Sequence, residues 1–115
     1  MDFTQVAPRS HKYNAKRTTV GNQHFPSRAE ANRYGELVMM EKAGHIKNLM
    51  SQVRYSLVVN GEVITHYVAD FVYEKPDGST VVEDVKGGII SDTFKIKRKL
   101  MKACFGVDVQ IVKKG

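Results

Sequence analysis

Apolar and polar positions change period several times along the chain, and the changes mark its elements. Residues 1–22 show no clear period and are rich in polar and basic side chains, which predicts an arm outside the folded domain. Ser27-Arg28-Ala29-Glu30 fits a capping box, and Phe25-Pro26 before it keeps the chain extended until the helix begins. Ala31, Tyr34, Leu37 and Val38 then recur at helical spacing, and Gly44 supplies a stop after Ala43. Three strands follow, over 53–59, 63–73 and 80–86. Asn60-Gly61 joins the first two as a tight hairpin, and Pro76-Asp77-Gly78 turns the second into the third. A second helix is expected from Asp92, as N-cap, to Phe105, with Ile96, Leu100, Ala103 and Cys104 as its buried stripe. Gly106 ends it, and residues 107–112 read as a short last strand. The order is α-β-β-β-α-β: an α+β (α/β-type) domain over 23–115, with helices flanking a mixed four-stranded sheet. The helix between the last two strands implies that they run parallel.

Acids are poor strand residues, so acids inside these strands ask for a reason. Asp70 interrupts an apolar run on the second strand, and Glu83 and Asp84 interrupt another on the third. Alternation puts Asp84 and Lys86 on one face, about 6.6 Å apart, and Glu83 on the other. A hairpin symmetric about Asp77 sets Asp70 opposite Asp84, at roughly 5 Å between β-carbons. Facing carboxylates repel unless a cation lies between them. Glu30 shares the buried-facing side of the first helix, as Glu41 does nearer its other end. Three converging carboxylates suit Mg²⁺ or Mn²⁺, with Lys86 placed to touch a phosphate, and that is the equipment of phosphodiester hydrolysis. Each residue also has a plainer reading. Glu30 completes the capping box, Asp70 pairs with a lysine, and Asp84 with Lys86 forms an ordinary same-face salt bridge.

Charge sharpens the picture. The chain of 115 residues carries a net charge of +6. Its basic residues gather in two segments: Arg9, Lys12, Lys16 and Arg17 near the start, and Lys95, Lys97, Arg98, Lys99 and Lys102 on the second helix. Such clusters suit a polyanion, although the second reads first as a solvated helix face. Lys97 differs because it borders the apolar stripe beside Met101, which makes it the candidate for an auxiliary phosphate contact. Gly87 and Gly88 would let a nucleic-acid backbone approach closely. A single cysteine, Cys104, excludes an internal disulfide, and the four histidines show no zinc spacing. There is no bilayer-length apolar run and no secretory h-region, so a cytoplasmic protein that does not enter membranes is expected.

An acid on the first helix, Glu30, an aspartate on the second strand, Asp70, and acid-x-lysine on the third, Asp84-Val85-Lys86, resemble the core of the PD-(D/E)XK nucleases. More closely, residues 12–112 resemble small phage-encoded nuclease-like proteins. The matching pieces are Lys12-Tyr13, Phe25 to Glu30, Gln52, Ala69 to Tyr73, Glu83 to Gly87 and Phe94 to Leu100. The resemblance implies a restriction-endonuclease-like core, Mg²⁺-dependent cleavage of DNA, and, by analogy with Holliday junction resolvases, a homodimer acting on branched DNA in phage recombination or replication, inside the host cytoplasm. Catalytic and metal-holding roles fall to Glu30, Asp70 and Asp84, with Lys86 at the scissile phosphate. Glu83 competes with Asp84 for the third position. DNA contacts fall to Lys12, Lys16, Arg17, Gly87, Gly88, Lys95, Lys97, Arg98, Lys99 and Lys102. The competing readings are a non-catalytic DNA-binding module and a phage factor that binds a host protein.

Overall fold

The fold is seen in a computed structural model, which describes residues 25 and 27–114. The basic arm over 1–22, with Lys12, Lys16 and Arg17, lies outside the described residues. Helix α1 spans Arg28–Lys42, and strands β1, β2 and β3 span Lys47–Val59, Glu62–Glu74 and Thr80–Lys86. Helix α2 spans Asp92–Phe105 and strand β4 Gln110–Lys113. The sheet order is β1-β2-β3-β4, with β3 and β4 parallel and the other pairs antiparallel.

Local chemistry sets the boundaries. The Ser27 hydroxyl accepts the Glu30 amide at 3.1 Å, a cap worth about 1 kcal/mol. At the other end His45 donates to Met40 and Gly44, at φ 83°, donates to Glu41, a Schellman closure. Asn60 and Gly61 both take positive φ, 51° and 78°, as a type I′ hairpin requires. Three expectations need correction. The N-cap of α2 is Ser91, whose hydroxyl accepts the Phe94 amide, and not Asp92. Strand β4 starts at Gln110 because residues 106–109 are spent leaving the helix. Strand β1 starts six residues early, at Lys47, as an irregular edge with a register shift between Lys47 and Met50.

The sheet separates two apolar clusters. Leu37 and Tyr34 of α1 pack with Phe71, Tyr73, Val81 and Val85 on one face. Phe94 and Met101 of α2 pack with Val53, Tyr55, Tyr67, Val72 and Val82 on the other. The buried positions of both helices differ from the predicted stripes. Ile96 is 60% exposed and Ala103 is also exposed, while Phe94 and Met101 are buried. On α1 it is Ala31 that faces solvent, and Glu30 is buried. Among the described residues no helix is long and apolar enough to cross a membrane.

Candidate active site

The register of the second hairpin brings the acids together. Pairs Glu74–Thr80, Tyr73–Val81, Val72–Val82 and Phe71–Glu83 obey the symmetry expected about Asp77. The next step along that register sets Asp70 beside Asp84, and here side-chain bonding takes over: the Val85 amide donates to Asp70 Oδ2 at 2.8 Å. One cause lies on β1. Between the pairs Ser51–Phe71 and Val53–Ala69, Gln52 takes a left-handed φ of 54°. Side-chain alternation slips there, so that Met50 and Val53, three residues apart, both reach the α2 side. Across the ladder Ala69 and Val72 do the same. Asp70 lies at this pivot.

Glu30 enters from α1. Its amide is capped by Ser27, but its carboxylate turns to the sheet, where Gln52 Nε2 donates to Oε2 at 3.0 Å. Asp84 is buried, with Oδ2 accepting from the Tyr67 hydroxyl at 2.6 Å and Oδ1 held by Lys86 Nζ at 2.9 Å. The Lys86 ammonium also lies 4.1 Å from the centroid of the Phe94 ring. Burial, with Asp84 and Glu30 as negative neighbours, pushes Asp70 up to about 8, although the Val85 amide opposes the shift. Burial also raises Glu30. Burial and the adjacent Asp84 carboxylate raise Tyr67, which keeps it a hydrogen-bond donor.

Glu83 has a different task. It faces α1, where Arg33 Nε and Nη2 clasp its two oxygens at 2.9 and 2.7 Å and the Tyr73 hydroxyl donates to Oε2. That geometry leaves Asp84 as the acid beside Asp70. Glu41 also lies elsewhere, accepting the Leu49 amide.

Asp70, Asp84 and Lys86 open into a cleft of about 480 Å³ where β3 leaves β2. Arg54, His66 and Val68 form one wall, with Ser91, Thr93 and Lys97 from the start of α2 opposite. Of the α2 cations, only Lys97 lines this cleft. Arg98 donates to the Val109 carbonyl, Lys102 pairs with Asp108, and Lys95 lies 3.9 Å from Asp92. Lys99 is exposed, and Gly87 and Gly88 line a smaller hollow next door. A wider groove of about 610 Å³, between β3 and residues 106–112, holds neither Asp70 nor Asp84.

Sequence reasoning gave no role to Gln52, Tyr67 or Phe94 in holding these groups. Tyr67 carried no usable signal: regular alternation puts a residue three positions before Asp70 on the opposite face, and only the slip beside Asp70 brings its hydroxyl to Asp84.

A divalent ion can be tested against this donor set. Among the described residues no group of three or more histidine, cysteine or acidic side chains is gathered to hold a metal ion. In this arrangement Lys86 and Tyr67 take both oxygens of Asp84, and Gln52 takes one of Glu30. The chemistry of the set nevertheless fits a hard cation. It is all oxygen and partly buried, and that burial, with the carboxylates of Asp84 and Glu30 as neighbours, pushes Asp70 up to about 8. Swinging the Lys86 ammonium off Asp84 frees an oxygen beside Asp70.

Comparison with known proteins gives a family and no activity. A family described as "Protein of unknown function (DUF1064)" matches residues 10–113. No curated protein matches the chain, and no solved structure does.

Proposed function

We propose that this chain, which belongs to the DUF1064 family, is a metal-dependent endodeoxyribonuclease with a restriction-endonuclease-like core, acting as a homodimer on branched DNA. The observation that carries the reading is the meeting of Asp70 and Asp84 at the fork of β2 and β3, with the Glu30 carboxyl as an electrostatic neighbour of both and Lys86 alongside. Glu30, Asp70 and Asp84 would hold Mg²⁺ or Mn²⁺. The ion, when bound, supplies Lewis acidity and lowers the pKa of water. Hydrolysis adds water across a P–O bond: its oxygen joins phosphorus, the departing ester oxygen leaves, and that oxygen gains a proton. Lys86 brings a positive charge to the phosphoryl oxygens once it leaves Asp84. Tyr67 keeps Asp84 oriented, and Lys97 meets the strand from the α2 side. The fold class, the dimer and the branched substrate follow the resemblance of the motif set, and dimeric action would give two symmetric cuts.

The test is cleavage of labelled four-way junction, splayed-arm and linear duplex DNA with Mg²⁺, Mn²⁺ or EDTA. Cutting that needs the metal and is lost in Asp84→Asn is the expected result. No cutting of any substrate, with the junction still bound, leaves the second reading. In it, Lys86 permanently neutralises Asp84, as the 2.9 Å pair shown here does, and the chain is a DNA-binding module.

Gln52 offers a separate check, because it holds Glu30 through one amide. Gln52→Gly suits the left-handed backbone while deleting that donor, so stability should stay within about 1 kcal/mol of wild type. Mn²⁺ affinity, read by calorimetric titration, should fall about 10–100-fold. Unchanged affinity would remove Gln52 from the site.

A further inference from the structure

Past Lys86, β3 runs out into Gly87 and Gly88, and β4 ends beside them. The Lys114 amide donates to the Lys86 carbonyl at 3.1 Å, which ties the two strand ends together. A hollow of about 200 Å³ lies over this join, lined by Lys86, Gly87, Gly88, Lys113 and Lys114. Lys86 lines the carboxylate cleft as well, so the hollow continues it.

Three features of the hollow point to an anion. Lys86 and Lys113 are direct partners in the parallel β3–β4 register, so two ammonium-bearing side chains stand on adjacent strands about 4.8 Å apart. Like charges so placed repel unless an anion is shared between them. Lys114 is committed to Glu36 at 2.7 Å and Lys86 to Asp84, whereas Lys113 has no acidic partner among the described residues. The glycines differ in the same sense. A Cβ on Gly87 would lie 3.0 Å from the Lys114 carbonyl oxygen, so packing accounts for that glycine. A Cβ on Gly88 would meet nothing within 4 Å, and no positive φ requires glycine there. Its bare backbone leaves room above the hollow.

We propose that Lys113, with Lys86 and the Gly88 backbone, binds the phosphodiester group next to the one held at Asp70 and Asp84. The DNA strand then runs from Lys97, across Lys86, to the end of β4. This inference rests on the cleft being a DNA site, and the experiment separates the two.

Binding of a fluorescein-labelled four-way junction is measured by anisotropy in EDTA, across a salt series from about 50 to 200 mM. Lys113→Glu is compared with Lys75→Glu, which changes net charge equally but lies at the β2–β3 turn, about 20 Å away along β3. Lys113→Glu is expected to bind at least about tenfold more weakly than Lys75→Glu, with a salt slope smaller by about 1. Gly88→Leu, whose Cβ would meet nothing within 4 Å, should weaken binding while leaving the melting temperature unchanged. Wild-type binding with equal affinities for the two lysine variants, or full affinity in Gly88→Leu, overturns the track alone. Absence of wild-type binding even at the lowest salt overturns both the track and the DNA reading of the cleft.

Discussion

Asp70→Asn should make the metal-free protein more stable above neutral pH and cost at least about 10³-fold in cleavage. The two effects share one cause. Burial, Asp84 and Glu30 raise the Asp70 carboxyl to about 8 in the folded protein, against 3.8 for an exposed aspartate. Folded protein therefore keeps a proton that the unfolded chain has released throughout the window between those values. The stability this proton contributes is complete below about pH 4 and is lost as pH rises through about 8. Partial exposure and shared titration with Glu30 bring the loss to the order of 2–3 kcal/mol. Asparagine carries no charge, yet its carbonyl oxygen still accepts the Val85 amide, so it should escape the penalty. Chemical denaturation in EDTA at about pH 5 and about pH 8 reads the difference. Wild type is expected to weaken between the two and Asp70→Asn to weaken clearly less, the remaining slope coming from Glu30, which burial also raises. Mg²⁺ should restore the wild type at the higher pH by mass action and leave the variant unmoved. Its apparent affinity should fall with pH, because the metal displaces the proton. Parallel pH profiles in EDTA would show that the proton sits elsewhere.

The legible parts of this fold are those whose chemistry is local. Ser27, Gly44 and Asn60-Gly61 announce caps and turns through neighbours a few residues away, and the structure uses each as the sequence predicts. The β2–β3 register was readable because a short turn fixes it, and with it the approach of Asp70 to Asp84. Glu30 shows where local reading ends. Its cap signal is real for the Ser27 hydroxyl, but the carboxylate goes to Gln52, which no local motif reveals. The α2 stripe was misplaced for a related reason. Phe94, Lys97, Met101 and Cys104 share the helical period, but a lysine within the set hides it, and the fully apolar set through Ile96 looks better. The left-handed turn at Gln52 gave no warning, since glutamine is not a residue that favours positive φ. Arg33 and Glu83 are fifty positions apart, and only the packed fold brings them together.

That pair underlies the largest expected loss of stability. Glu83 is 2% exposed, and both of its oxygens lie in the Arg33 fork. Arg33→Ala strands a buried carboxylate with the Tyr73 hydroxyl as its remaining donor, which should cost about 3–5 kcal/mol and lower the melting temperature by about 10–20 °C. Arg33→Lys should recover only part, because a point charge cannot span both oxygens. Adding Glu83→Gln to Arg33→Ala removes the stranded charge but leaves an oxygen for Tyr73, so the double variant should regain about 2 kcal/mol over the single. If it is no more stable than the single, the cost lies in lost packing of the Arg33 stem and not in the charge. The bond also bears on the site. Arg33 sits one helical turn after Glu30, and Glu83 is the residue before Asp84. Clasping Glu83 therefore fixes α1 against β3 at the level where Glu30 must meet Asp84. Arg33→Ala, assayed well below its melting temperature, should thus lose metal affinity as well as stability.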